Sequence, residues 1–540
     1  MTSVLIAALL LAQQATPPEK CSISGTVMDS ITGLPLSKVY LVAAHPSGRD
    51  ASASTTTDAA GKFRMVNVDP GEYRLSAKRN GYLDAFYGAR KSSADGSMIV
   101  LSAGQKLEDL QIRMAPFGVI AGTLKDPDGE PLAGVFVDVY SPKYVDGQRK
   151  ILQFDNAVTD DLGHYRIAGL PPGKYYVSAT PPSQEDRRAR VVDHSVKSDK
   201  LREIAIRTFY PGVADPSAAS LVELSSGTRA TGIDITLTRS AVYKVAVHLD
   251  FTDGHKATAS LLNSAEGFGG LGSLRDVNPD GDMEIEGVPP GNYRIEIGTL
   301  GPSKFFTGRQ EVNCTTSVPL NVDKADVTGL RIATTGCPTV AGHVVVEGEQ
   351  QKKVPDGSNY LIDFHPGPRE RVEPDGSFEA TVSPGTNIVD LLGITGMSGL
   401  YVKSMQAGSQ DVLRNGLTLS GSERADLQIT LAPHGGKIDG VVLNAEGNPV
   451  LGAAVVLIPN DNALRPRLDF TRDTVTDKAG HFDLKGLAPG EYKLFAWDDI
   501  EKDSWFDPDI LKDYEAKGKP VSVKASDTEQ ASQTVDLLLQ

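Results

Sequence analysis

Thr159-Asp160-Asp161-Leu162-Gly163-His164-Tyr165, followed by Gly169-Leu170-Pro171-Pro172-Gly173-Lys174-Tyr175-Tyr176-Val177-Ser178-Ala179, is the stretch on which the fold turns. In its first half an aspartate can accept backbone hydrogen bonds in a tight turn, and Gly163 can take the left-handed conformation. In its second half Pro172 presets the first central residue of a β-turn, and Gly173 supplies a positive φ at the next. From Tyr175 the apolar residues alternate, which is the period of a strand. The stretch predicts a turn, a strand, a type II turn and a strand.

The pattern recurs along the chain. The second turn returns as Asp69-Pro70-Gly71-Glu72-Tyr73, Pro289-Pro290-Gly291-Asn292-Tyr293 and Ala488-Pro489-Gly490-Glu491-Tyr492, and as a weaker Ser383-Pro384-Gly385-Thr386 without the tyrosine. The first turn returns as Thr57-Asp58 with Gly61, as Thr476-Asp477 with Gly480, and as Asp280-Gly281 and Asp375-Gly376. From the glycine of the first turn to the proline of the second is nine residues in four copies and eight in the fifth, room for one short strand. Each unit opens with a segment such as Gly25-Thr26-Val27, Gly122-Thr123-Leu124 or Gly440-Val441-Val442, and closes with one such as Leu110-Gln111-Ile112 or Leu427-Gln428-Ile429. Six or seven short strands in about a hundred residues read as a β-sandwich. The expected architecture is all-β, with about five tandem antiparallel β-sandwich domains in a semi-rigid rod. Their expected spans are 21–115, 116–239, 240–335, 336–433 and 434–540, after a signal peptide over 1–20. The third and fourth units keep fewest signals.

Composition narrows the function. The net charge is −15, and a broad phosphate-binding surface needs clustered Lys and Arg. Arg187, Arg188 and Arg190 form one basic cluster, flanked by Glu185, Asp186 and Asp193. Nucleic acid is therefore not an expected partner. Val4 to Ala12 is an apolar run too short to span a bilayer and suited to a signal peptide, with cleavage near Ala12 or Ala15. No later stretch is long enough for a transmembrane helix, so a secreted, periplasmic or outer-envelope location is expected. Export would allow a disulfide between Cys314 and Cys337, with two buried thiols as the alternative.

The three-part pattern resembles the carboxypeptidase regulatory-like domain. It is carried by Gly122-x-Leu124-x-Asp126-x-x-Gly129-x-Pro131, by Thr159-Asp160-x-x-Gly163-x-Tyr165 and by Leu170-Pro171-Pro172-Gly173-x-Tyr175. The resemblance implies a transthyretin-like (prealbumin-like) sandwich of the carbohydrate-binding-like kind, and a structural or interaction role in an envelope protein. A zinc carboxypeptidase needs His-x-x-Glu, and none of the nine histidines has Glu three residues on. No Gly-x-Ser-x-Gly nucleophile elbow occurs. No enzyme activity, catalytic residue, metal site or cofactor is expected.

Candidate ligand-binding residues are Trp505, Phe506 and Trp497, because flat aromatics can stack on sugar rings. The alternative is that they pin the polar insertion around 498–504 onto its sandwich. Asn278, Asp280, Asp282 and Glu284 alternate like a calcium loop but occupy the hairpin turn of the other units, and are read as a turn. The remaining marked residues, Gly61, Pro70, Gly71, Gly163, Pro172, Gly173, Pro290, Gly291, Gly480, Pro489 and Gly490, are assigned to structural turns. The expected function is a non-catalytic interaction or scaffold protein binding a glycan or an envelope protein. The alternatives are a spacer without ligand and an accessory module of a carboxypeptidase-type enzyme.

Overall fold

The strands fall into five pairs of sheets and one further two-stranded sheet, Glu203–Ala205 with Arg239–Ala241. The computed structural model describes residues 19–539 apart from 46–50, 90–95, 146–147, 182–202, 252–256, 264–274, 277–279, 301–311, 335, 349–359, 366, 395–398, 525–531 and 536. The signal segment, the cluster at Arg187, Arg188 and Arg190, and Asn278 lie outside the described residues. Contacts divide the chain between Pro116 and Phe117, with the first sandwich in one unit and the other four in the second.

One topology recurs five times. In the first sandwich the opening strand Cys21–Asp29 pairs antiparallel with Lys62–Val68 and parallel with the closing strand Lys106–Met114. The facing sheet sets Tyr40–Ala44 between Ala51–Thr56 and Gly71–Lys78. The opening strands of the other four are Gly118–Lys125, Tyr243–Phe251, Thr339–Val346 and Gly436–Leu443, and each repeats both pairings. The sheets are thus antiparallel except where opening and closing strands run side by side. In the fourth sandwich Tyr401–Ala407 adds to the closing strand and widens that sheet.

The turn residues show why the pattern recurs. Asp160 Oδ1 accepts from the backbone N–H groups of Leu162 and His164, and Asp58 and Asp477 do the same in their copies. Gly61, Gly163, Gly281, Gly376 and Gly480 all have left-handed φ, between 70° and 89°. The threonine before the aspartate is buried and ties two strands together. Thr476 Oγ1 donates to the Val450 carbonyl at 2.6 Å and accepts from Ala453 N at 2.9 Å.

At the Pro-Gly turns the outcome differs in part from the type II expectation. Positive φ occurs at Gly71, Gly173 and Gly385, but not at Gly291 or Gly490. The shared cause is the tyrosine two residues on. Tyr73, Tyr175, Tyr293 and Tyr492 each donate their hydroxyl to the carbonyl four residues upstream, at Asp69, Pro171, Pro289 and Ala488, over 2.6–2.9 Å. A Cβ on Gly291 or Gly490 would stand 3.3 or 3.4 Å from the tyrosine ring. In the fourth copy Asn387 takes the tyrosine's place, and its side-chain N–H donates to the Ser383 carbonyl at 3.0 Å. The weak copy therefore keeps the hydrogen bond and changes the donor. Tyr492→Phe is expected to lower the stability of the fifth sandwich by about 1 kcal/mol, the cost of one buried hydrogen bond, measured by denaturant unfolding.

Each sandwich encloses its own apolar core. Sandwich two packs Ile120, Val137, Tyr165 and Val177, sandwich three Val245, Leu261 and Ile295, and sandwich five Ile438, Val455 and Leu494. Sandwich four has a larger core, which includes Val340, Phe364 and Leu427 and also Phe470, a residue from the following sandwich.

Candidate functional site

The sequence-derived aromatic candidates lie in the interior. In the strand Gly490–Trp497, Phe495 and Trp497 point away from the main core and stack on each other, 4.9 Å apart and within 5° of parallel. Trp505, in the turn Ser504–Phe506, and Leu511 close over them with Val456 and Ile458, forming a second small core on the outer face of the sheet. Trp497 and Trp505 are 2% and 4% exposed. A sugar platform needs an open ring face, whereas both rings are covered by the insertion. Phe506 packs beside them, half-buried. The signal was present in Leu494-Phe495-Ala496-Trp497, apolar at successive positions as in a strand covered on both faces. Cys337 is disulfide-bonded and Cys21 is a free, buried thiol, while the side chain of Cys314 lies outside those described.

The densest constellation of ionisable groups was not anticipated. It lies where sandwich four meets sandwich five. The loop from Asn460 to Thr471, between the strands Ala454–Pro459 and Arg472–Val475, turns back on itself through Leu464 N and Arg465 N bonding the Asp461 carbonyl. It then drives Arg467, Asp469 and Phe470 into the neighbouring sandwich. Phe470 joins that sandwich's core. Arg467, 1% exposed, donates to the backbone carbonyls of Val389 and Leu413 and to both oxygens of Asp469. Asp469 in turn accepts from Leu391 N at 3.4 Å.

Asp390, in the strand Gly385–Leu392, completes the cluster. Its carboxyl lies 3.6 Å from the Arg467 guanidinium and 3.7 Å from His365 Nε2, beside the Asp469 carboxylate. Burial first, and the Asp469 carboxylate second, push the Asp390 carboxyl well above the usual range, so the site favours its protonated form. For Arg467 burial works against the charge, but the Asp469 and Asp390 carboxylates outweigh it and raise its pKa. Toward the rim Asp363 accepts from Arg369 Nε at 2.6 Å, and His365 Nε2 lies 3.1 Å from the same carboxylate. An outer ion pair, Arg414 with Asp461 at 2.6 Å, and a backbone bond from Gly435 N to the Gly399 carbonyl at 2.7 Å span the same junction.

These groups face one another rather than a cleft. The arginine pairs with one buried carboxylate, and burial favours the protonated form of the second, which is how a buried cluster avoids an uncompensated charge. The chemistry this supports is a joint. Among the described residues no group of three His, Cys, Asp or Glu side chains could hold a metal ion, and no helix is long and apolar enough to cross a membrane.

The family match agrees with the fold. The sequence model of the carboxypeptidase regulatory-like domain matches residues 22–115, 119–207 and 437–501, which fall in sandwiches one, two and five. No curated protein matches. Solved structures with similarity include the Bacillus anthracis TIE protein, at 10% identity over 77% of this chain and 75% of that one, with a TM-score of 0.17. BcpA, the major pilin subunit of Bacillus cereus, is 13% identical over 78% of this chain and 99% of its own, with a TM-score of 0.14. GBS52, the minor pilin of Streptococcus agalactiae, is 16% identical over 41% and 95%, with a TM-score of 0.21.

Proposed function

We propose that this chain, in which three sandwiches are carboxypeptidase regulatory-like domains, is an exported, non-catalytic scaffold whose outer faces engage a protein or glycan of the cell envelope. The observation that carries the reading is the joint between sandwiches four and five. Its interior ionisable groups fix one domain on the next and are closed to any substrate, with Arg467, Asp469, Asp390 and Asp363 all at most 7% exposed. The turn aspartates Asp58, Asp160, Asp375 and Asp477 likewise serve backbone hydrogen bonds. What is left for recognition is the outside. There Phe136 and Val158 stand directly opposite each other on neighbouring strands and are 55% and 51% exposed.

The test is retention of residues 16–540 on envelope fractions and on a glycan panel, with and without chelator, beside Phe136→Glu. Saturable retention that ignores chelator and weakens in the variant is expected. Retention unchanged in Phe136→Glu would move the contact to another face. Absence of any retention would favour a spacer, and turnover of a peptidase substrate abolished by chelator would overturn the non-catalytic reading.

A further inference from the structure

We infer that sandwich two carries a hairpin arm whose receptor is the insertion of sandwich five, and that the two form a releasable clasp closing the unit from Phe117 onward. The strands Phe136–Val145 and Gln148–Val158 are paired along their whole length, from Phe136↔Val158 to Val145↔Gln148. The third strand, Gly173–Thr180, stops pairing at Tyr140. Residues 141–145 and 148–152 therefore continue past the sheet as a two-stranded ribbon. Such a ribbon is marginal in water unless it packs on something.

It packs on the insertion. Tyr144 donates its hydroxyl to Asp507 Oδ2 at 2.8 Å, and Lys143 Nζ lies 3.5 Å from Glu501 Oε1. Asp507 is itself fixed, because its other oxygen caps the short helix Pro508–Leu511 by accepting from Asp509 N at 2.9 Å. The surface that receives the arm is thus rigid, backed by Trp505 and Leu511. Sandwiches two to five are joined in sequence, so a contact between the second and the fifth closes them on themselves. The clasp's polar contacts among the described residues include one hydrogen bond to a carboxylate and one ion pair between side chains 38% and 40% exposed. The exposed pair is screened by salt. The clasp therefore opens far more readily than the joint at Arg467.

The test uses the full chain from residue 16, with Lys143→Glu/Tyr144→Phe and the charge-swapped Lys143→Glu/Glu501→Lys. Both substitutions on the arm lie outside every apolar core, and thermal unfolding of each variant checks that the sandwiches persist. Tryptic cleavage after Arg149 or Lys150 is expected to quicken about tenfold in the first variant, with a larger radius of gyration by small-angle scattering. Both should return toward the parent in the swap, and raised ionic strength should open the parent in the same direction. Cleavage and scattering identical to the parent in Lys143→Glu/Tyr144→Phe would overturn the clasp. So would a swap as open as the first variant.

Discussion

Arg467→Met is expected to lower the stability of sandwiches four and five by about 3–5 kcal/mol, the usual cost of stranding a buried charge. The arginine donates to Asp469 and to two carbonyls of sandwich four, and methionine can replace none of those bonds. Asp469 would stay at 7% exposure with its counter-charge gone. Two companion variants separate charge from packing. Arg467→Met/Asp469→Leu should recover most of the loss, because a cluster replaced whole by apolar side chains is often close to neutral. Asp390→Asn should cost far less than Arg467→Met, since burial and Asp469 already disfavour a charge at that position. Denaturant unfolding of the three variants makes the comparison.

The same carboxyl gives the joint a pH dependence of definite sign. The folded pKa of Asp390 is raised, so folding favours the protonated form. Its contribution is most favourable below the ordinary aspartate value of about 3.9. Stability is then lost as pH rises from there to the raised folded value, and above that the cost is constant. Asp390→Asn should remove this slope and leave the rest of the pH profile in place.

The second large effect is at a glycine. Gly440 lies in the opening strand of sandwich five, where a Cβ would stand 1.9 Å from the Val535 carbonyl oxygen and 2.9 Å from the Phe482 ring. Backbone on the closing strand cannot yield as a side chain can. Gly440→Ala is therefore expected to cost about 3 kcal/mol or more and to melt the fifth sandwich first. Gly490→Ala, with the nearest contact at 3.4 Å from a tyrosine ring, should cost less than about 1 kcal/mol. Gly25, Gly122 and Gly342 meet the same obstacle, a carbonyl at 2.2, 2.0 and 2.1 Å, so the effect should recur in sandwiches one, two and four. Circular dichroism melts of Gly440→Ala and Gly490→Ala, side by side, decide it.

Those glycines also mark what the sequence makes readable. Turns declare themselves because few residues satisfy them: an aspartate that caps its own turn, a glycine with positive φ, a tyrosine that folds back on its glycine. The opening-strand glycine is visible in the sequence too, but its reason is the closing strand roughly a hundred residues on, which local pattern does not reveal. The joint is harder still. Arg467 and Asp469 sit in an ordinary polar loop, and their meaning depends on Asp390, far away in sequence. A clue was nevertheless there in Leu361-Ile362-Asp363-Phe364 and Ile388-Val389-Asp390-Leu391-Leu392. An aspartate inside an apolar strand has to find a cation or keep its proton. The tryptophans read two ways for the opposite reason. Aromatic residues beside polar ones look like an exposed platform, whereas the apolar run before them already required a cover.

The most direct measurement is hydrogen exchange by mass spectrometry on the whole chain across a denaturant series, following peptides from Gly385–Leu392 and from Ala454–Pro459. If the Arg467 joint makes sandwiches four and five one rigid piece, both peptides lose protection at a single midpoint, and Arg467→Met splits it into two. Two separate midpoints in the parent chain, unmoved by Arg467→Met, would contradict the scaffold account.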